Sequence, residues 1–351
     1  MFFMTKKQKR EQFFSQPRTK IEGVRDDIIE FYKLEETGQI IGEFHMDLGL
    51  FEEPFEIGFF ADTHINYCDE IDMQDEELAY TYECRQWLKH AETLPVMIAA
   101  MDVCEHMDAT VVGGDTLDYL SHGAMELVKK HIYDRDPTVL SCVANHDITK
   151  QMETGKPDKL SHAERYAILQ TIWPHDIHFA TRTLGEKLTL VALNNTPPGY
   201  SDYVYEKLKA EIESARKDGR KILIFEHEPI TTANPADVEE NPYWELNRDR
   251  DNFYNGGSWL CRFETMSEQN HKTYDLICSS ADVIKGIFCG HLHSAYYNEI
   301  LASYTDEEGK HNAVIPQISY AANAYLYGRK FGENKFENSW RVGNVLRLIV
   351  K

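Results

Sequence analysis

The sequence predicts an α/β fold built on a largely parallel sheet, with a second, partly antiparallel sheet toward the end of the chain. Three observations predict it. Short β-rich runs alternate with helical patterns, as right-handed β-α-β units require. Each run ends on a polar cluster, which is where ligands gather in a parallel sheet. The last fifty residues lose the helical pattern and read as strands joined by turns.

Taken in order, residues 1–50 begin with a stretch, 1 to about 37, that is polar and basic, then acidic, with short apolar runs such as Ile28-Ile29 and Phe31-Tyr32. They read as an N-terminal extension that is partly helical, with a strand at Ile40–Leu50 from its partial alternation. The organised domain spans 51–351. Its strands are expected at Pro54–Asp62, Ala109–Asp115, Thr138–Asp147, Lys187–Asn195, Lys221–His227 and Ile284–His293. Helices are expected at Asp75–His106 with a break near Pro95, Ala124–Tyr133, Ser161–Trp173, Tyr203–Asp218 and about Asn270–Ser280. Late strands are expected at Asn312–Ser319, Ala324–Gly328 and Arg341–Val350, suited to the second sheet. Two stretches read as insertions: acidic Asp69–Glu77, and 234–269, which is rich in Asn, Asp, Tyr and Trp. The second is too long for an ordinary connection and suits a lid.

Composition narrows the partners. With 37 basic and 58 acidic residues the net charge is −21. Long nucleic acids and anionic membranes call for a cationic surface, so neither is expected. An acidic protein that handles an anionic substrate must supply positive charge locally, and metal ions can do so. The seven cysteines are scattered and show no C-x-x-C spacing, which predicts reduced thiols in a cytoplasmic protein. Met1 to Phe14 lacks the apolar run of a signal peptide, and no stretch approaches a membrane span.

The chemistry lies in five clusters at strand ends. Asp62-Thr-His64 sets a carboxylate and an imidazole two residues apart, able to meet one cation. Gly113-Gly114-Asp115-Thr-Leu-Asp118 places two carboxylates behind glycines that permit close backbone approach, and Asp115 can bridge two metals through its two oxygens. In Asn145-His146-Asp147 the amide carbonyl suits a hard cation already held by other ligands, and His146 would reach past the metals toward the substrate. His227, in Phe-Glu-His-Glu-Pro, and the pair His291/His293 each follow an apolar strand, where a buried polar tip must find a partner. Alone, each cluster has a plainer account in turn hydrogen bonds or a satisfied core histidine. Five such accounts would have to hold at once, each at the carboxyl end of a strand. The set Asp62, His64, Asp115, Asn145, His227, His291 and His293 instead fits two cations sharing one carboxylate.

The order Asp-x-His, Gly-Asp-x-x-Asp, Asn-His-Asp, His, Gly-His-x-His resembles the calcineurin-like metallophosphoesterase family over residues 54 to about 320. The resemblance implies two sheets packed face to face with helices outside, a four-layer α/β/β/α sandwich. It implies one metal held by Asp62, His64, Asp115 and His293, and a second held by Asp115, Asn145, His227 and His291. It further implies an Asp118–His146 dyad in which His146 assists the leaving group and Asp118 orients the imidazole. Mn, Fe or Zn would suit these nitrogen and oxygen ligands. The activity implied is hydrolysis of a small phosphate mono- or diester, with a nucleotide among the candidates. The rivals are a nuclease of the same family and a catalytically silent scaffold that binds a protein partner.

The chain also departs from the family. Ala144 stands where Gly usually precedes Asn-His, which is tolerable if φ there is negative. Tyr119-Leu120 follows Asp118 where the serine/threonine protein phosphatases carry Arg, which disfavours a phosphoprotein substrate. Asp118 occupies the position of the tyrosine ligand of purple acid phosphatases. Glu228 follows His227 where many phosphodiesterases have a second His. His122 fits either the pocket or an exposed helix start. Tyr243/Trp244 and Tyr254/Trp259 fit base stacking or packing of a lid.

Overall fold

The computed structural model describes residues 4–21, 27–86, 90–149, 159–196, 199–230, 267–291, 296–320, 322 and 344–351. Two mixed sheets pack face to face between helical layers. The first has seven strands, β1 (Arg18–Ile21), β2 (Glu30–Leu34), β3 (Ile40–Met46), β4 (Phe55–Phe60), β5 (Ala109–Val112), β6 (Leu140–Ser141) and β13 (Asn344–Val350), in the order β1-β2-β3-β13-β4-β5-β6. The second has six, β7 (Phe179–Leu184), β8 (Leu188–Leu193), β9 (Lys221–Glu226), β10 (Ile284–Cys289), β11 (Tyr296–Asp306) and β12 (Gly309–Ser319), in the order β11-β12-β10-β9-β8-β7. Strands β4, β5 and β6 run parallel, as do β8, β9, β10 and β12. Antiparallel partners flank each set.

The alternation of each strand sorts its side chains between layers. Ile57 and Phe59 of β4 meet Leu223 and Phe225 of β9 and Phe288 of β10 in the core between the sheets. Phe225 and Phe288 stack with ring centroids 5.2 Å apart, and Phe59 lies 5.6 Å from Phe225. Phe60 and Val112 face the other way, onto helices α3 (His90–Cys104), α4 (His122–Val128) and α5 (His162–Gln170). Ile222 and Ile224 face α6 (Asp202–Asp218) and α7 (Glu268–Cys278) on the far side. The four-layer α/β/β/α sandwich is therefore present.

Helix α6 illustrates how the sequence fixes an element. Ser201 caps its start, Gly219 closes it with φ of 72°, and Val204, Leu208, Ile212 and Ala215 form its buried stripe. In α4, Ser121 caps the N-terminus, and a π-helical turn at Lys129–Tyr133 continues it.

Three features differ from the sequence reading. Among the described residues of 1–50, only Lys6–Phe14 (α1) is helical, and β1, β2 and β3 belong to the first sheet. The break expected at Pro95 does not occur there: α2 (Glu76–Cys84) ends at Arg85, and α3 runs through Pro95. One lost hydrogen bond is tolerated because Val96, Met97, Ala100 and Met101 pack onto the sheet. The final strand joins the first sheet rather than the second, parallel to β3 and antiparallel to β4. Its buried Val345, Leu346, Leu348 and Val350 suit an interior position. Residues 234–266 of the proposed lid, with Tyr243, Trp244, Tyr254 and Trp259, lie outside the described residues, as does the expected strand Ala324–Gly328.

Candidate metal centre

The carboxyl ends of the parallel strands in both sheets converge. The loops after β4 and β5 are zipped together by Asp62 N–H donating to Gly114 O (2.9 Å) and His64 N–H donating to Asp115 O (2.9 Å). Within the second sheet, the loops after β9 and β10 are joined by Gly290 N–H donating to His227 O at 3.0 Å. This frame gathers Asp62, His64 and Asp115 into one group of converging ligand atoms, and Asp115, His227 and His291 into another. Asp115 belongs to both. Nε2 of His64 is 3.7 Å from Asp115 Oδ2 and 4.0 Å from Asp62 Oδ1. Nε2 of His227 is 3.2 Å from Asp115 Oδ2 and 3.3 Å from His291 Nδ1. His293 lies outside the described residues.

The backbone is strained where these candidate ligands sit. Among the described residues, five non-glycine residues have positive φ, and four of them are Asp62 (56°), His64 (47°), Asp115 (47°) and His291 (69°). Such conformations cost roughly 1–3 kcal/mol each and persist where surroundings impose them. Close approach of the backbones is enforced by glycine. A Cβ on Gly290 would stand 2.7 Å from Asp62 Oδ2, and one on Gly114 (φ 88°) would stand 2.8 Å from the Cβ of Ala144. Ala144 itself is not among the positive-φ residues, so its extra methyl is accommodated.

Hydrogen bonds outside the cluster orient the imidazoles. His227 Nδ1 donates to Gly113 O at 2.8 Å, which in the neutral ring leaves the Nε2 lone pair facing Asp115. His64 Nδ1 lies 3.2 Å from Asp118 Oδ1, the outer carboxylate partner that metal-bound histidines commonly have. Oδ1 of Asn145 is buried without a hydrogen-bond partner, a costly state for an amide oxygen that a cation would relieve. The donor set therefore fits hard or borderline cations.

Burial and close charges push the titrations apart. Burial raises Asp62 to about 8, reinforced by Asp115 and opposed by His227. Burial disfavours charge on His227, but Asp115 and Asp62 outweigh it and lift the imidazole to about 10. His291 falls to about 3, through burial and the neighbouring His227. Ligands that hold protons this way release them on binding cations.

His146 borders the cluster, its side chain 17% exposed. Its N–H donates to Asp115 Oδ1 at 3.0 Å, and its Nδ1 donates to the main-chain oxygen of Asp118 at 2.9 Å, with Asp118 Oδ1 at 3.3 Å. Burial opposes its charge, yet Asp115 and Asp118 raise it to about 9. Asp118 is buried and, despite that burial, its bonds to His146, His64 and Arg85 hold it far below the usual carboxylate range.

Sequence reasoning gave no role to three supporting residues, although Asp147 stood in the Asn145-His146-Asp147 cluster. Arg85 grips Asp118. Asn195 Oδ1 accepts the N–H groups of His227 and Glu228, fixing the loop after β9. Asp147 accepts from Leu117 N–H (2.8 Å) and Ala144 N–H (2.9 Å), tying two loops of the site together. Asn195 was visible as the polar end of β8, whereas Arg85 carried no motif. His122 opens α4 with its side chain 48% exposed, held by Asp69 at 2.6 Å. It is thus an exposed helix-start residue. Glu228 is buried.

No protein-family model matches the chain, and no curated protein matches it in sequence. Solved structures resemble it. A dimetal phosphatase from Danio rerio is 14% identical, with 77% of this chain and 88% of that one covered at a TM-score of 0.42. A purple acid phosphatase from Lupinus luteus is 11% identical, with 88% and 51% covered at 0.44. A Haemophilus influenzae NAD nucleotidase is 11% identical, with 78% and 46% covered at 0.31. This chain thus spans about half the length of the last two. The architecture, two mixed sheets between helical layers with candidate ligands gathered at the carboxyl ends of their strands, is the four-layer sandwich expected from the sequence.

Proposed function

We propose that this chain is a dimetal-dependent phosphoesterase of the calcineurin-like type, acting on a small phosphate mono- or diester such as a nucleotide. The observation that carries the reading is the coincidence of left-handed backbone with Asp62, His64, Asp115 and His291, around a carboxylate common to two ligand groups. Asp62, His64, Asp115 and His293 would hold one cation, and Asp115, Asn145, His227 and His291 the other. Such cations supply Lewis acidity that activates water and neutralises charge on phosphoryl oxygens.

The remaining steps belong to the chain's own groups. Asp118 holds the His146 ring through Nδ1, leaving Nε2 free to give a proton to the departing oxygen. The net charge of −21 favours a small substrate over a polynucleotide. Among the described residues, no helix is long and apolar enough to cross a membrane, and the described cysteines are free thiols. The latter supports a reducing compartment, the cytoplasm.

The test is a substrate panel: p-nitrophenyl phosphate, its bis-ester, cyclic nucleotides and plasmid DNA, each with Mn, Zn or Fe. Metal-dependent turnover of a small ester, abolished by chelator, is expected. Turnover of DNA in preference to the small esters would favour a nuclease. Failure with every ester and metal would leave a silent scaffold.

A further inference from the structure

Arg85 stands at the end of α2, and its side chain is 9% exposed. Nε donates to Asp118 Oδ2 at 2.7 Å and a terminal nitrogen donates to Oδ1, so both carboxylate oxygens are gripped. Oδ1 is also the atom 3.2 Å from His64 Nδ1 and 3.3 Å from His146 Nδ1. One oxygen therefore bonds a guanidinium and lies within reach of two imidazoles, whose rings stand 4.6 Å apart and perpendicular, while His146 Nδ1 also donates to the main-chain oxygen of Asp118 at 2.9 Å. Both imidazole contacts can coexist only over a narrow range of carboxylate orientation. A planar guanidinium fork fixes that orientation, and an ammonium does not.

The main chain of Arg85 is anchored as well. Arg85 O accepts from Asn66 Nδ2 at 2.6 Å, and Asn66 Oδ1 accepts from the Tyr119 hydroxyl at 2.7 Å. The end of α2 is thereby tied to the loop after β4 and to the loop after β5, both of which carry site residues. Tyr119 directly follows Asp118, and the cation that grips Asp118 comes from a different element, the end of α2.

We propose that Arg85 is a positioning residue: by fixing the plane of the Asp118 carboxylate, it orients His64 toward the cation site and His146 toward the leaving group at once. This rests on the phosphoesterase reading for its consequence in catalysis, though not for its geometry. A purely structural Arg85 would act as a counter-charge for a buried carboxylate, and Lys would then serve nearly as well.

The test uses the full chain with Arg85→Lys and Arg85→Gln. In the metal-free protein, the low-field Nδ1–H proton resonances of His64 and His146 are recorded by NMR. They are expected to shift or disappear in both variants, while the thermal unfolding midpoint of the Lys variant stays close to that of the parent. In the metal-loaded protein, kcat is compared for an aryl and an alkyl phosphate monoester at equal metal content. The Lys variant is expected to lose on the order of tenfold more on the alkyl ester, whose poor leaving group needs the proton. Unchanged imidazole resonances, or an equal loss on both esters, would overturn the proposal. A parent protein that binds metal and hydrolyses neither ester would instead count against the phosphoesterase reading, and the resonances would still decide the role of Arg85. If Arg85→Gln does not fold, Arg85→Lys decides alone.

Discussion

His227 Nε2 lies 3.2 Å from Asp115 Oδ2, and the two residues belong to different sheets. Asp115 follows β5 in the first sheet and His227 follows β9 in the second. The candidate centre is therefore a seam between sheets, and its geometry depends on the apolar packing beneath it.

That dependence predicts the effect of Phe288→Ala. The ring fills the inter-sheet core against Phe225 and Phe59. Its removal should cost about 3–5 kcal/mol in urea denaturation and should also weaken metal binding, because Phe225 lies two residues before His227. A loss of stability with unaltered metal affinity would show that the seam is held by its loops alone.

A second prediction concerns Gly114→Ala. The added Cβ would meet Ala144 Cβ at 2.8 Å and His227 Nδ1 at 3.0 Å, at a φ of 88°. Strain and overlap together should cost about 2–4 kcal/mol and weaken metal binding. Combining it with Ala144→Gly should restore part of the loss in a calorimetric scan, and no restoration would place the conflict elsewhere.

His146→Ala should retain its metals yet lose on the order of 10²–10⁴ in kcat on an alkyl phosphate. Steady-state kinetics on protein of known metal content checks this. Full activity would remove His146 from the chemistry.

The His122–Asp69 pair predicts a pH dependence of stability. The bond to Asp69 raises the imidazole above its ordinary 6.5, against a smaller effect of burial. A raised folded pKa contributes stability that is complete below 6.5 and is lost as pH rises through the folded value. With His122 nearly half exposed, the effect should stay below about 1 kcal/mol. The gap in unfolding midpoint between the parent and His122→Ala should be larger at about pH 5.5 than at about pH 9. A gap independent of pH would mean that the pair is not ionised as proposed.

The strand ends and their polar clusters were legible because apolar runs that stop abruptly at Asp, Asn or His leave a sharp boundary, as at Phe60-Ala61-Asp62 and Phe225-Glu226-His227. The edge strands were not. β1 has an almost wholly exposed pattern, so burial wrote no alternation into it. β11 carries Leu301 at an exposed position, blurring its period. β7 is joined to β8 by a tight turn with positive φ at Gly185 and Glu186, and a turn built on Gly-Glu lacks the usual Asn-Gly signature. The destination of β13 depended on tertiary pairing between β3 and β4, which no local pattern encodes. Arg85 was hidden for a similar reason: it lies 33 residues from Asp118 along the chain, on a helix end with no spacing to mark it.

The most direct test of the central claim is metal stoichiometry. Protein stripped of metal is titrated with Mn or Zn, and the bound ions are counted for the parent and for Asp115→Ala. A centre sharing one carboxylate should bind two ions per chain and lose high-affinity binding of both when Asp115 is removed. A parent that binds no ions tightly, or an Asp115→Ala variant that still binds two, would contradict it.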